Sequence, residues 1–272
     1  MANIDLGKRV KAGYFRRLAI GAWRTPTDPK VYTKLKCDIS HLTVLSNNSK
    51  ITYIHFFTKA MGLVFEQYPQ LNQVLIRNKL YQRKTISAFI HTHLRTSHGY
   101  DLLGVNITNI TTKSLSTIAN DINNQVNQLR QKQNKPMENA KKILMLIPSL
   151  LYQIIVNLFD FLMYTLNINF SFIGLPKDSY GSFGISAVGS FGFEEVYVPL
   201  FPFSRLPLIM AIGKPTKEWV YNGQQHQLKT LITITFTMDH RYFDGAHIAK
   251  PMRLFKKIIQ NPEKYNIHID KI

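Results

Sequence analysis

One short segment of this chain places a proton-accepting side chain at the end of a recognisable strand. Ile232, Ile234, Phe236 and Met238 alternate with threonines, which predicts a strand with one buried face. His240 is the next residue of that apolar face, so we expect its imidazole to point into the apolar side. A neutral imidazole in a partly dry pocket is a good proton acceptor. The pattern therefore makes His240 a candidate proton acceptor.

The residues after this histidine predict a turn followed by a helix. Gly245 permits a tight turn. Asp244 would orient the loop, cap the next helix or pair with an arginine. A core histidine at a strand end is the competing interpretation of His240, and it is the better one for a histidine standing alone.

Three segments carry a resemblance to a known family. Residues 238–246 resemble the Asp-His-Arg-x-x-Asp-Gly-Ala motif of the acyltransferase components of 2-oxo acid dehydrogenase complexes, which share a fold with chloramphenicol acetyltransferase. Residues 183–192 are similar to the family's Phe-Thr-Ile-Ser-Asn-Leu-Gly-x-Phe-Gly stretch, and residues 209–213 resemble its Ala-Ile-Leu-x-Val-Gly strand. The resemblance covers most of residues 5–262. It implies a chloramphenicol acetyltransferase-like α/β fold (an α+β two-layer sandwich), with helices on one face of a mixed sheet, and a homotrimer.

The resemblance also implies a reaction and its residues. The chain would be a coenzyme A-dependent acyltransferase that moves an acyl group between coenzyme A and an unknown thiol or hydroxyl acceptor. His240 would be the general base, and Ser186 would donate a hydrogen bond to the tetrahedral oxyanion. Asp244 would be structural and would pair with Arg17, for which Arg16 is an equally good candidate. No residue for binding coenzyme A is identified.

The sequence departs from the family in two places. The chain reaches the matching region almost at once, so we expect a stand-alone member with no lipoyl domain and no lipoyl attachment site. The family's Val-Pro-Val-Ile-Arg stretch appears here as residues 104–109, which changes the usual substrate channel. The altered channel segment and the apolar block at residues 143–176 motivate an alternative, in which the protein is a non-catalytic oligomeric scaffold or interaction protein on the same fold, with membrane-surface association left open.

The wider pattern predicts one domain over residues 1–272. Helices are expected over 5–22 and 51–68, with Ser114 capping another. An apolar helical insertion is expected at about 136–172, because Asp160 is the single charge between Lys142 and Lys177. A helical pair packed on the core is the favoured interpretation, and contact of residues 143–176 with a membrane surface is the alternative.

The composition limits the classes of ligand that this protein is expected to bind. The formal charge of +18 suits an anionic ligand such as coenzyme A, but no nucleic-acid motif accompanies it, so nucleic acid is not expected. Cys37 is the single cysteine, which fits a cytoplasmic protein without disulfides. His91, His93 and His98 lack cysteine or carboxylate partners nearby, so no metal site is expected, and these histidines would face solvent or line the substrate channel.

Overall fold

The computed structural model describes residues 28–42, 51–76, 79–96, 99–131, 148–171, 178–201 and 204–268. The helix expected over residues 5–22 lies outside the described residues, and so do Arg16, Arg17 and His98.

The strand predicted from the alternation of Ile232 to Met238 forms the second half of the last strand of the structure, and eight further strands occur among the described residues. The strands are β1 (Lys30–Asp38), β2 (Gln73–Ile76), β3 (Lys79–Gln82), β4 (Ala88–Thr96), β5 (Gly99–Ile107), β6 (Phe183–Ser186), β7 (Leu208–Ile212), β8 (Thr216–Tyr221) and β9 (His226–Asp239).

The main sheet is mixed, as the resemblance implied. Its order is β1-β9-β7-β6-β4-β5, with β8 paired to the first half of β9, while β2 and β3 form a separate hairpin. β6 runs parallel to both of its neighbours, and the other pairs of the main sheet are antiparallel. The short strand β6 therefore lies in the centre, where its ends are positioned from both sides.

Three helices cover one face of this sheet. They are α1 (Tyr53–Gln67), α2 (Leu115–Arg130) and a last helix that we label α4 (Gly245–Gln260), and they share the main core with the strands. Phe255 of α4 packs between Phe57 of α1 and Phe236 of β9, with ring centroids 6.1 Å and 5.9 Å away. The expectation of helices on one face is confirmed. Ser114 caps α2 as predicted, because its hydroxyl accepts a 3.1 Å hydrogen bond from the Thr117 N–H.

The segment between β6 and β7 lies on the opposite face of the sheet. Leu200 and Leu206 pack there against Ile209 of β7. The hydroxyl of Thr235 donates a 2.5 Å hydrogen bond to the carbonyl of Val196, which explains how a threonine is buried in the middle of β9.

The remaining described helix falls inside the expected apolar insertion. This helix, α3 (Ser149–Asp160), continues into a π-helical turn at Phe161–Thr165, and none of the α3 side chains whose burial is described belongs to the main core. Asp160 forms an ion pair with Arg205, so the one charge of the segment joins it to the connection before β7. Among the described residues, no helix has the length and apolar character needed to cross a membrane.

Candidate active site

His240 lies at the surface, not in the apolar side of the sheet. β9 ends at Asp239, and the backbone turns at His240, so the alternation that buries Phe236 and Met238 stops one residue earlier. The expected inward orientation of the imidazole is therefore wrong. The physical reason is that strand parity holds only while the backbone stays extended.

The turn that carries His240 is held by its backbone. The N–H of His240 donates a 2.8 Å hydrogen bond to the carbonyl of Pro29, and the N–H of Asp239 donates a 3.0 Å bond to that of Pro207. Segments before β1 and before β7 thus clamp the turn from both sides. The exposed ring projects from a fixed backbone, which suits a side chain that must meet a partner from outside.

The two neighbours of His240 form an ion pair. Arg241 donates from Nε to both carboxylate oxygens of Asp239, at 3.0 Å and 3.1 Å, and from a terminal nitrogen at 2.6 Å. Asp239 is buried whereas the arginine side chain is half exposed. This contact with the carboxylate raises the pKa of Arg241. The sequence did not reveal this pair, because its geometry depends on the turn.

Tyr242 connects the same turn to the rest of the molecule. Its buried hydroxyl accepts a 3.0 Å hydrogen bond from the Leu75 N–H and donates a 3.2 Å bond to the carbonyl of Arg205. Arg205 is also the partner of Asp160, and its guanidinium lies 5.2 Å from the ring centroid of Tyr164. Tyr242 and Arg205 therefore connect the turn that carries His240 to the insertion helix α3.

Asp244 is the N-cap of α4. Its carboxylate accepts hydrogen bonds from the His247 N–H at 3.1 Å and from the His247 ring at 2.8 Å. These two hydrogen bonds hold the pKa of Asp244 below its ordinary value, and the bond from the His247 N–H has the larger effect. Of the three roles that the sequence left open, helix capping is the one that the structure places here, while Arg17 falls outside the described residues.

Ser186 occupies the last position of β6 and is half buried. It lies in register with His91 of β4 and with Ala211 of β7. The turn after it can approach β7 closely because of two glycines. A Cβ atom on Gly189 would lie 2.6 Å from the Gly213 backbone, so the second and third resembling segments meet at backbone contact.

A cavity of about 180 Å³ opens beside Ser186. Its polar lining includes Ser186, His91, His93 and Ser190, and its apolar lining comes from the strand and helix residues Ile54, Ile90, Ile122, Val126 and Phe191. Of the open expectations for the two strand histidines, the structure supports lining a channel. No group of metal-binding side chains occurs among the described residues.

The altered 104–109 segment begins beside one of the cavity-lining histidines. Gly104 lies opposite His91 in the pairing of β4 with β5. A Cβ atom on Gly104 would lie 2.2 Å from the Phe89 ring, so the glycine makes room for that ring. Phe89 in turn contacts the His91 ring edge-on, with centroids 5.0 Å apart.

A larger cavity, about 370 Å³, lies near the start of α2 and is lined by Lys59, Lys113 and His268. The Lys59 ammonium group donates to the carbonyls of Thr111 and Lys113, both at 2.7 Å. Burial lowers the pKa of Lys59. Lys59 therefore stabilises the connection between β5 and α2, and this cavity has no link to Ser186 or His240.

His240 and Ser186 lie far apart within one chain. Ser186 is level with Ala211 and hence with Thr235 of β9, five residues before His240. At about 3.3 Å per residue along the strand and about 4.8 Å between strands, the two Cα atoms are separated by roughly 19 Å. The two candidate catalytic side chains therefore do not meet in a single chain.

The family of the chain follows from its sequence. The model of the family described as 2-oxoacid dehydrogenases acyltransferase (catalytic domain) matches residues 27–144 and 176–267. The chain belongs to this family. The match omits residues 145–175, which contain α3.

Individual family members are only distantly similar. The dihydrolipoyllysine-residue acetyltransferase component of the acetoin cleaving system of Bacillus subtilis is 23% identical over 240 residues, which is 84% of this chain and 48% of that protein. This chain thus spans about half the length of that curated relative.

Solved structures of this family share the fold. A probable dihydrolipoamide acetyltransferase from Listeria monocytogenes superposes with a TM-score of 0.65 at 17% identity, covering 97% of this chain and 99% of that one. The dihydrolipoamide acetyltransferase of Azotobacter vinelandii gives 0.62 at 17% identity, covering 97% and 98%. That structure was used to investigate a serine, a histidine and an asparagine in catalysis.

Proposed function

We propose that the protein transfers an acyl group between coenzyme A and a thiol acceptor, at a site that combines His240 of one protomer with Ser186 of another. The observation that carries the proposal is the family's histidine motif on a clamped, exposed turn, in a chain whose candidate oxyanion donor lies at the other end of the sheet. The named catalytic residues of the Azotobacter relative support the pairing of a histidine with a serine.

His240 would accept the proton of the attacking thiol as its sulfur bonds to the thioester carbon. The carbonyl oxygen then becomes an oxyanion, to which the Ser186 hydroxyl donates a hydrogen bond, worth about 2–4 kcal/mol of barrier in comparable sites. When the original carbon–sulfur bond breaks, His240 returns the proton to the departing sulfur. Atoms and charges balance without any other reactant.

Symmetry makes a homotrimer the natural way to join these two residues. A cyclic assembly with a repeated head-to-tail contact brings one end of a subunit against a different end of its neighbour. The number of three subunits is taken from the family resemblance. The implied trimer is therefore consistent with the roughly 19 Å separation derived from the strand register.

The cavity beside Ser186 limits what is bound there. At about 180 Å³ it is smaller than the 300–1,000 Å³ typical of drug-sized ligand pockets. A short acyl group with its thioester fits such a volume, whereas the nucleotide part of coenzyme A must lie elsewhere. Apolar side chains over part of the wall favour an aliphatic acyl group.

The test is acyl transfer from acetyl-coenzyme A to dihydrolipoamide, with free coenzyme A separated by chromatography. The proposal expects turnover by the wild type and its loss in His240→Ala, with His226→Ala as a surface-histidine control. An unchanged rate in His240→Ala would show that another group is the base.

The non-catalytic alternative makes the opposite prediction. A scaffold on this fold would give no turnover and no heat of binding with coenzyme A in calorimetry. If the protein is folded and is oligomeric by light scattering, but shows neither turnover nor heat of binding, the scaffold is favoured.

A second candidate function concerns the insertion and rests on a stripe of exposed apolar side chains. Leu151, Ile154, Leu158 and Phe161 recur at intervals of three and four residues, and they are 42–63% exposed. Such spacing places them on one face of the helix. With the net charge of +18, we propose that this face docks on an anionic membrane surface.

Liposome sedimentation tests this docking. Ile154→Asp should abolish binding to vesicles that contain phosphatidylserine, while Asn157→Asp, which adds the same single negative charge to the same helix without removing an apolar side chain, should have a smaller effect. Equal sedimentation of all three proteins would refute the idea.

A further inference from the structure

His91 and Ser186 lie side by side on adjacent parallel strands. They are register partners of β4 and β6, so their Cα atoms are about 4.8 Å apart and their side chains leave the same face of the sheet. Both line the cavity described above. This proximity comes from the strand order alone, since the two residues are 95 positions apart in the sequence.

The His91 ring has an unsatisfied polar atom. Its Nε2 is enclosed by protein atoms and has no hydrogen-bond partner among the described residues. Leaving a buried polar atom without a partner costs about 1–3 kcal/mol. The Phe89 ring holds the imidazole by edge-on contact, so the position of that nitrogen is fixed by packing. Ser186, one strand away, is the register partner of His91 and carries a hydroxyl group.

The imidazole of His91 stays uncharged in this setting, because burial lowers its pKa to about 4. A ring that resists protonation is a weak base, so His91 is unsuited to taking a proton from the serine or from a substrate thiol. A neutral imidazole remains a good hydrogen-bond donor. Its chemistry therefore differs from that proposed for His240.

We propose that His91 is a positioning residue for Ser186. The His91 Nε2 atom has no partner within the described part of the single chain, and rotation of the Ser186 side chain would let its hydroxyl oxygen accept a hydrogen bond from the ring N–H. This inference rests on the proposed acyl transfer. Engaging the oxygen lone pair leaves the hydroxyl hydrogen directed into the cavity, toward the developing oxyanion. Consecutive hydrogen bonds polarise one another, so the serine becomes a stronger donor than an isolated hydroxyl.

The kinetic test compares His91→Phe with His91→Gln. Phenylalanine keeps the aromatic packing but removes the donor, and kcat should fall about tenfold, the equivalent of about 1.4 kcal/mol, with KM unchanged. Glutamine can place an amide N–H near the same point and should restore most of the rate. The pH profile of kcat should keep its shape in both variants. The matched control is His226→Phe, because His226 is another strand histidine stacked on an aromatic ring, 5.2 Å from Tyr221.

A double-mutant cycle separates positioning from direct action. In the Ser186→Ala background, His91→Phe should cause no further loss of kcat, since there is no hydroxyl left to orient. A full tenfold loss in that background would overturn the proposal, and so would an unchanged kcat in the single variant.

Nuclear magnetic resonance of ¹⁵N-labelled histidine rings distinguishes failure of this inference from failure of the proposed function. The His91 signals are those missing from the spectrum of His91→Phe. Ser186→Ala should shift the His91 ring N–H resonance whether or not the protein turns over acetyl-coenzyme A. An unshifted resonance would refute the contact even in an active enzyme.

Discussion

The two ends of the central sheet differ in how they present a chemical group. At one end His240 stands exposed on a turn, and the surrounding polar atoms serve to hold its backbone. At the other end Ser186 is half buried at the edge of a cavity, beside a histidine whose ring nitrogen has no partner among the described residues. One end offers an exposed proton acceptor, and the other offers a cavity formed by the fold.

The contrast indicates that neither end of the sheet, by itself, supplies what acyl transfer requires. An exposed imidazole lacks the water-excluded surroundings in which electrostatic stabilisation is strongest. The buried His91 that lines the cavity is a weak base, because burial lowers its pKa. A contact between protomers that brings the first end onto the second would supply both conditions at once.

The largest expected effect is on His240. His240→Ala should lower kcat about 10²–10⁴-fold, the usual contribution of a positioned general base. The rate of coenzyme A release measures it. Because the side chain is exposed, the thermal unfolding temperature should stay close to that of the wild type, which separates a chemical role from a structural one.

Ser186→Ala is expected to lower kcat about 10²–10³-fold through loss of the oxyanion donor. Refolding the Ser186→Ala and His240→Ala variants together tests whether the two ends of the sheet act in different protomers. If each site takes its histidine and serine from different protomers of a trimer, random mixing restores roughly a quarter of the sites. If the mixture is as inactive as each variant alone, His240 and Ser186 act within one chain. The proposed contact between the two ends of the sheet in different protomers would then be refuted.

Tyr242→Phe tests the support of the His240 end. Removing the hydroxyl leaves the buried Leu75 N–H without its acceptor and frees the Arg205 carbonyl. We expect the free energy of unfolding to fall by about 1–3 kcal/mol. Denaturant titration measures this loss. Tyr221→Phe is the control, since the Tyr221 hydroxyl makes its hydrogen bond at the exposed surface. Equal losses in the two variants would contradict the proposed anchoring role.

The smallest effect concerns Asp244 and depends on pH. The folded-state pKa of Asp244 lies below its ordinary value of 3.8, so its stabilising effect is present above that value and is lost as pH falls through the folded pKa. Asp244→Asn should therefore unfold at a lower temperature than the wild type at neutral pH, with the gap closing in acid. Ser114→Ala removes an uncharged cap, and its cost of about 1 kcal/mol should not follow this pH dependence. If the difference in unfolding temperature between Asp244→Asn and the wild type stays constant into acid, the charge of Asp244 does not contribute to stability.

Local pattern predicted the elements well. Alternation predicted the second half of β9, the residues after His240 predicted a turn and the helix α4, and Ser114 marked the start of α2. These features are encoded by neighbouring residues, since side-chain periodicity and helix capping act within a few positions. Residues 5–22 and Arg17 fall outside the described part of the chain, so the predictions made for them remain predictions.

The orientation of His240 and the neighbours of Ser186 could not be predicted in this way. The parity argument extended the strand by one residue too many, because the hydrogen bonds to Pro29 and Pro207 that shape the turn come from distant segments. The pairing of His91 with Ser186 required knowing that β4 lies next to β6, which no local pattern encodes.

The sequence by itself determined the family, the mixed α/β architecture and the identity of the side chains able to do chemistry, because motifs and periodicities are properties of neighbouring residues. Only the tertiary structure decided that His240 faces solvent, that Ser186 borders a small cavity beside a neutral histidine, and that the two lie at opposite ends of the sheet. Strand order and register set those distances, and they arise from packing between segments far apart in the chain.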